Sequence, residues 1–143
     1  MTQKRRRVLF VCTHNSARSQ MAEGLLRHLY GDRYRASSAG TTPGSVHPLA
    51  IEAMAELGID CSHQRSKGID EFRGSQSNYV ITVCDQARES CPVFPNASHD
   101  LHWSLPDPSQ AEGDEQRRLE AFRAVRDEIR KRIEATFGEH TDG

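Results

Sequence analysis

Cys12 and Arg18 stand six positions apart in the stretch FVCTHNSARSQMAEG, residues 10–24, and their side chains suit one kind of chemistry. A cysteine thiolate is a nucleophile, and an arginine guanidinium presents a planar fork of donors to the oxygens of a tetrahedral anion. The residues between them are small or polar, an apolar run precedes them, and a helix-like pattern follows. We therefore expect an oxyanion-binding loop with a nucleophile at its start.

The loop, residues 13–17, links a predicted strand to a predicted helix. Turning backbone there aims several N–H groups at one point, next to the positive end of the helix dipole. This field is expected to lower the pKa of the Cys12 thiol. Asn15 tolerates positive φ, and Ser19 is placed to donate a hydrogen bond to the sulfur. The predicted substrate-binding residues are Thr13, His14, Asn15, Ser16, Ala17, Arg18 and Ser19.

The surrounding sequence alternates between apolar runs and helical patterns, which predicts an α/β fold. The predicted strands are 7–12, 34–40, 78–84 and 99–103, and the predicted helices are 19–30, 47–58 and 115–137. The last helix carries an apolar stripe formed by Leu119, Phe122, Val125, Ile129 and Ile133. We expect a single domain over 1–143, a four-stranded parallel sheet with helices on both faces, and flexible ends at 1–5 and 139–143.

Four separated parts of the chain reach the carboxyl edge of this sheet, where ligands bind in such folds. Cys12 ends the first strand and Cys84 the third, while SSAG ends the second and SLPDP follows the fourth. Asp107 of SLPDP lies between two prolines, which restrict the backbone on both sides of it. A carboxylic acid held in this way can protonate a leaving oxygen, although LPDP alone is equally consistent with a solvated aspartate in a turn.

The composition restricts the function classes. The 143 residues include 19 basic and 20 acidic side chains, so no bulk charge indicates nucleic acid or a membrane as partner. No run approaches the roughly 18 apolar residues of a membrane span, and VLFVC is too short for a secretory signal. We therefore expect a cytoplasmic monomer whose thiols are kept reduced. Four cysteines in that setting favour catalysis, redox chemistry or metal binding over structural bridges.

These motifs resemble the low-molecular-weight protein tyrosine phosphatase family, and more narrowly the arsenate reductases built on that fold. VLFVCTHNSARSQMAEG resembles the family's phosphate loop, and the likeness continues through SSAG, HPLAIEAMAELGID, YVITVCDQARESCP, HWSLPDP and the last helix. The resemblance implies reduction of arsenate to arsenite for arsenic detoxification, without a cofactor. It implies Cys12 as nucleophile, Arg18 as oxyanion ligand and Asp107 as general acid.

The resemblance also implies a relay of thiols. Cys84 attacks Cys12, Cys91 then attacks Cys84, and thioredoxin reduces the resulting Cys84–Cys91 disulfide. Two helical turns would separate Cys84 from Cys91 by about 10.5 Å, whereas a disulfide needs Cα atoms within about 7 Å. The short polar segment between them is marginal as a helix, so we expect it to unfold and carry Cys91 outward. Cys61 matches no position of this triad, and we expect it to be incidental.

Two other functions remain open from the sequence. A phosphatase on phosphotyrosine or a small phosphoester would use Cys12, Arg18 and Asp107, with Cys84 and Cys91 protecting the nucleophile from oxidation. A binding protein without turnover would instead hold arsenite or a metal on its three thiols. Zinc is disfavoured because C-x6-C is not the usual ligand spacing, and we expect no metal site.

Three positions depart from the family pattern. His14 stands where many relatives have glycine, so the backbone of the loop or its affinity for anions is expected to differ. Ser109 stands where tyrosine phosphatases usually place an aromatic residue, which weakens the phosphotyrosine interpretation. Lys67 stands where some relatives have an acidic ligand of potassium. Its ammonium is expected to replace that ion and to remove any potassium dependence.

Overall fold

The computed structural model describes residues 5–72, 77–84 and 97–138. The strands are β1 (Arg6–Cys12), β2 (Tyr34–Gly40), β3 (Tyr79–Thr82) and β4 (His99–His102), and the helices are α1 (Arg18–Tyr30), α2 (Pro48–Ala55) and α3 (Glu115–Phe137). Short 3-10 turns occupy Ile69–Phe72 and Pro108–Gln110. The predictions for Cys91, for the segment that leads to it, and for flexible ends at 1–4 and 139–143 lie outside the described residues.

The four strands form one parallel sheet in the order β2-β1-β3-β4. β1 lies inside the sheet, and its residues from Val8 to Cys12 are buried, as a continuous apolar run predicts for a parallel strand. In the register, Cys12 pairs with Gly40, and Val11 pairs with Thr82. The predicted α/β class with a four-stranded parallel sheet is confirmed, and its carboxyl edge gathers the ends of β1, β2 and β3.

The predicted helix over 47–58 is shorter in the structure. His47 caps α2, because its Nδ1 accepts a hydrogen bond of 3.1 Å from the Leu49 backbone N–H. The helix ends after Ala55, where Ile59 N donates to Met54 O at 3.1 Å and Gly58 adopts φ +77°. This is the left-handed conformation that glycine favours after a helix. Gly58 therefore marks the end of the helical region as predicted, but it lies beyond the last helical residue, Ala55.

The third strand is also shorter than its predicted range of 78–84. β3 keeps ladder pairing only to Thr82, where its neighbour on β4 ends, and Trp103 N closes the ladder on Thr82 O at 2.8 Å. Val83 still donates to Val11 O at 2.8 Å. The chain therefore remains beside β1 for one more residue and delivers Cys84 to the edge of the sheet.

Helix α3 packs its predicted stripe into the core. Leu119, Phe122, Val125, Ile129 and Ile133 are all buried, and Phe137 extends the stripe to the end of the helix. The Phe137 ring contacts Tyr34 and Tyr79 at centroid distances of 4.7 and 5.1 Å, which joins the helix to two strands. Within the described residues, no helix combines the length and apolar character needed to cross a bilayer.

Candidate functional site

The loop after β1 is held from outside by a segment that we call the strap, residues 40–47. The strap N–H groups donate to the loop carbonyls in four bonds: Thr41 to Cys12 (3.2 Å), Thr42 to Thr13 (2.7 Å), Gly44 to His14 (3.1 Å) and His47 to Ser16 (2.9 Å). The C=O and N–H of a trans peptide point in opposite directions, so the N–H groups that follow these carbonyls face the inside of the loop. Sequence reasoning placed an anion there but did not identify the strap.

Gly40 allows the strap to approach the loop. A Cβ at this position would lie 2.6 Å from the Thr13 carbonyl oxygen and 2.9 Å from the Asn15 nitrogen. Both atoms belong to backbone, which cannot yield as a flexible side chain would. A residue larger than glycine is therefore incompatible with the closed loop.

Asn15 adopts φ +51°, as predicted, and is fully buried. Its side chain donates to Ser19 Oγ at 2.7 Å and accepts from Lys67 N at 2.8 Å and Gln20 Nε2 at 2.9 Å. Ser19 Oγ accepts this bond, and among the described residues no bond from its hydroxyl to the Cys12 sulfur is present. Asn15 fixes the turn of the loop from its centre.

Arg18 is the first residue of α1, and its guanidinium lies at the floor of the loop. Nη1 donates to the Leu105 carbonyl at 2.9 Å, and Nη2 lies 3.6 Å from Asp107 Oδ2. Nε has no hydrogen-bond partner, alone among the buried side-chain nitrogens and oxygens of the described residues. An unpaired buried donor is costly, and an oxyanion oxygen would satisfy it. Leu105 contributes through its carbonyl, which residue type could not reveal.

Cys12 and Cys84 form a buried pair of thiols, 4% and 3% exposed. Cys84 is the neighbour with the largest influence on the Cys12 thiol, and Thr13 Oγ1 lies 3.3 Å from Cys84 Sγ. The neighbouring Cys84 thiol first, and burial second, raise the pKa of the Cys12 thiol well above its usual range, against the opposing influence of Arg18. The prediction of an easily ionised Cys12 is therefore wrong for this arrangement, because it took no account of a second thiol sharing the proton.

Asp107 lies across the loop from Arg18, with its side chain 29% exposed. Burial is the largest single influence on the pKa of its carboxyl and raises it. Hydrogen bonds to Oδ1 from Ser109 N (3.0 Å) and Ser109 Oγ (2.7 Å), together with the charge of Arg18, outweigh burial, so the pKa is lowered. The carboxyl is ionised at neutral pH in this arrangement. Negative charge brought into the loop would raise its pKa again.

A cleft of about 590 Å³ opens at this edge of the sheet, with Arg18, Asp107, Cys84 and His14 in its wall. A recess of about 20 Å³ is lined by Cys12 together with three of these residues, His14, Arg18 and Asp107. The structure thus brings the predicted nucleophile, oxyanion ligand, carboxyl group and second thiol to one place. Cys91 lies outside the described residues.

Cys61 lines neither the cleft nor the recess. It is 2% exposed and packs against α1, where a Cβ added to Gly24 would lie 2.7 Å from its sulfur. Burial raises the pKa of the Cys61 thiol to about 11. Cys61 is a core side chain, and this agrees with the prediction that it is incidental to the site.

Lys67 lies on the far side of Asn15. Its ammonium is 3.5 Å from Glu23 Oε1 and donates to the Arg65 carbonyl at 2.9 Å, while Ser38 Oγ donates to the same Glu23 oxygen at 2.5 Å. A cation therefore lies beside Glu23 and Ser38, as the resemblance led us to expect. Among the residues described here, no three His, Cys, Asp or Glu side chains cluster as metal ligands would.

The low-molecular-weight phosphotyrosine protein phosphatase family matches residues 7–141. The chain belongs to this family. Within it, the chain is 44% identical to an arsenate reductase of Halalkalibacterium halodurans, over 92% of this chain and 94% of the relative. An arsenate reductase of Bacillus subtilis is 40% identical, over 88% and 91% of the two chains.

Solved structures of arsenate reductases are also similar to this chain. A structure described as an arsenate reductase in the phosphate binding state superimposes with a TM-score of 0.78 at 35% identity, covering 95% of this chain and 99% of the other. A thioredoxin-dependent arsenate reductase of Corynebacterium glutamicum gives 0.65 at 34% identity, covering 95% of this chain and 65% of the other. A tyrosine phosphatase of Erwinia amylovora, at 20% identity, shares the fold.

Proposed function

We propose that this chain is a thioredoxin-dependent arsenate reductase. The observation that carries the proposal is the buried pair of thiols, Cys12 and Cys84, at an oxyanion-binding loop. Hydrolysis of a phosphoester needs one nucleophile, whereas reduction of arsenic(V) needs two electrons, which a second thiol can supply. The identity to relatives named arsenate reductases supports the same conclusion.

The first step is binding of the arsenate dianion in the loop. Its oxygens accept hydrogen bonds from the inward N–H groups and from Arg18, whose buried Nε is without a partner among the described residues. Ala17 precedes α1 without a side-chain cap, so the N–H groups at the start of the helix also face the anion. The added negative charge counteracts Arg18 and raises the pKa of Asp107, which prepares that carboxyl to carry a proton.

The second step forms a covalent adduct. Cys12 gives up its thiol proton to the Asp107 carboxylate, whose pKa the bound dianion has raised, and attacks arsenic as a thiolate. A bond between arsenic and oxygen breaks, and Asp107 passes the proton to the departing oxygen, which leaves as water. Arg18 remains on the other oxygens of the adduct. The Ser109 bonds to Oδ1 leave the second carboxyl oxygen, which lies on the Arg18 side, to hold this proton.

The third step transfers the electrons. Cys84, as a thiolate, attacks Cys12 Sγ, and the sulfur–arsenic bond breaks. The electron pair of that bond stays on arsenic, so arsenic(V) becomes arsenic(III) and leaves as arsenite, while a Cys12–Cys84 disulfide forms. The two thiols already lie beside each other at the edge of the sheet, which favours this step.

The last steps regenerate the nucleophile. Cys91 attacks Cys84, which frees Cys12 and leaves a Cys84–Cys91 disulfide for thioredoxin to reduce. These steps rest on the resemblance and on the name of the Corynebacterium relative, since Cys91 lies outside the described residues. The cycle needs three reduced thiols at its start, and a reducing cytoplasm provides them.

The proposal is tested by arsenate-dependent NADPH oxidation with thioredoxin and thioredoxin reductase. Serine variants of Cys12, Cys84 and Cys91 are compared with Cys61→Ser, a matched control for loss of a buried thiol away from the cleft. We expect each of the first three to lose turnover and the control to keep it. Turnover that survives in Cys84→Ser would overturn the relay.

A phosphatase activity at the same loop is measured in parallel with p-nitrophenyl phosphate. Arg18 and Asp107 suit a phosphoester as well as arsenate, so we expect slow hydrolysis that requires Cys12 and survives Cys84→Ser. If hydrolysis is fast and arsenate reduction is absent in the wild type, the phosphatase interpretation replaces the reductase.

A further inference from the structure

His14 places an imidazole at the oxyanion cleft that the scheme above leaves without a role. The residue is exposed, and it lines both the cleft and the smaller recess, together with Arg18 and Asp107. Its position in the loop would provide a backbone N–H whatever the residue type.

The imidazole has a fixed place. His14 Nδ1 lies 3.1 Å from the Thr42 carbonyl oxygen, and since a carbonyl only accepts, Nδ1 carries the proton of this bond. The His14 carbonyl accepts from Gly44 N at 3.1 Å and from Ser66 Oγ at 2.9 Å. Ring and backbone are both tied to the strap side, so little conformational freedom is lost when a ligand arrives.

The second ring nitrogen is the one available to a ligand. Nε2 makes no hydrogen bond among the described residues, and in the neutral ring it only accepts. Protonation turns Nε2 into a charged donor and leaves the bond from Nδ1 to Thr42 intact. His47 behaves in the opposite way, because its Nδ1 accepts from Leu49 and protonation would break that bond. His14 can thus take up a proton without disturbing the loop.

The charges around the cleft show what a protonated His14 ring would contribute. Of the described residues in the cleft wall, Arg18 and the ionised Asp107 are the charged ones, and their charges oppose each other. Cys12 and Cys84 share protons as a pair, and the Lys67 ammonium is turned to Glu23. Among the described residues, a dianion entering the cleft therefore meets no net positive side-chain charge until His14 or Asp107 carries an additional proton.

We infer that the protonated His14 ring is a second side-chain ligand of the oxyanion, donating from Nε2 to a dianion of the arsenate, phosphate or sulfate type. The inference rests on the proposed function and names the charge state of the substrate. It also separates substrate from product, because arsenous acid is neutral at neutral pH and the imidazolium has no charge to attract on it. The ring thereby favours entry of arsenate over retention of the product.

Sulfate is the probe that tests this, since its charge is constant from mildly acidic to mildly basic pH. Calorimetric titration of the wild type with sulfate should show an affinity that falls as the pH rises. His14→Asn keeps a donor near the position of Nδ1 for Thr42 and removes Nε2. We expect it to bind sulfate roughly tenfold more weakly at acidic pH and with a smaller pH dependence, namely the part that protonation of Asp107 contributes.

Two further variants complete the test. His14→Ala removes both nitrogens and should match His14→Asn in affinity. His63→Gln changes an exposed histidine outside the cleft and should match the wild type. If His14→Asn keeps the wild-type affinity and pH dependence while His14→Ala loses affinity, the ring only anchors the strap and the inference is wrong. If the wild type binds neither sulfate nor arsenate, the proposed function itself fails.

Discussion

Cys84 lies beside Cys12 at the carboxyl edge of the sheet, although 72 positions separate them in the chain. This proximity follows from the sheet register, since Val11 pairs with Thr82 and Val83 donates to Val11 O. Cys12 follows this pair of residues by one position and Cys84 by two, so both cysteines reach the same edge of the sheet. Two thiols that share a proton cannot both be ionised readily. The second thiol therefore controls the reactivity of the first before any substrate is present.

Replacing Cys84 should make Cys12 more reactive towards alkylating reagents. Cys84 is the largest influence that raises the pKa of Cys12. In Cys84→Ala, burial still raises this pKa, but the charge of Arg18 still lowers it and the influence of Cys84 is gone. The pKa should fall, and the rate of alkylation by iodoacetamide at neutral pH should rise, although arsenate turnover is lost. The rate is measured for Cys12 by peptide mass spectrometry, with Cys61→Ala as control. Equal rates in wild type and Cys84→Ala would contradict the shared proton.

Gly40→Ala should abolish oxyanion binding. The added Cβ would lie 2.6 Å from the Thr13 carbonyl oxygen, and the loop would have to open to relieve the contact. Gly44→Ala is the matched control in the same strap, because a Cβ there meets nothing within 4 Å. Titration with phosphate and thermal unfolding compare the two variants. We expect Gly40→Ala, but not Gly44→Ala, to lose phosphate binding and to have a lower Tm. Similar behaviour of the two variants would show that the close approach of the strap to the loop at Gly40 is unimportant for anion binding.

With Lys67 in place, the stability of the protein should not depend on potassium. Reversal of this charge in Lys67→Asp should create such a dependence. The Lys67–Glu23 pair is largely buried, so Lys67→Asp leaves two carboxylates together and should cost about 3 kcal/mol of unfolding free energy. Potassium should recover part of that loss and choline should not. Lys131→Asp, an exposed charge reversal on α3, is the control. Unfolding is followed in potassium and choline chloride at equal ionic strength. If potassium stabilises the wild type and choline does not, the Lys67 ammonium does not replace the ion.

The sequence was sufficient for the parts of the site that depend on residue type and strand position. Cys12 and Cys84 were placed at one edge because parallel strands share their carboxyl ends, and Asn15 was assigned positive φ from its side chain. The strap could not be found in this way, because it acts through the backbone N–H groups of residues such as Thr42. The direction of the Cys12 pKa shift was predicted wrongly for a related reason: a helix end lowers this pKa, but the neighbouring Cys84 thiol and burial, which depend on the folded sheet, raise it.

His47 should make the protein less stable in acid. Burial first, and the charge of Arg118 second, lower the pKa of the imidazole against the opposing influence of Asp107. The unfolded chain therefore binds a proton more readily than the folded one, with an unfolded pKa of about 6.5. The contribution of His47 is fully present above that value and is lost as the pH falls towards the lower folded pKa. In structural terms, protonation removes the acceptor that caps α2 at the Leu49 N–H.

His47→Asn separates this effect from general acid unfolding. Asparagine is a good helix N-cap and does not titrate, so the variant should keep α2 and lose part of the stability difference between neutral and mildly acidic pH. Urea unfolding at the two pH values gives that difference for the wild type, for His47→Asn and for His28→Gln, an exposed histidine on α1. The His47 ring also contacts Phe122 at 4.7 Å between centroids, so a lower stability of His47→Asn at both pH values is expected. The decisive quantity is the change with pH: a change equal to that of the wild type would mean that His47 does not set the acid limit of this fold.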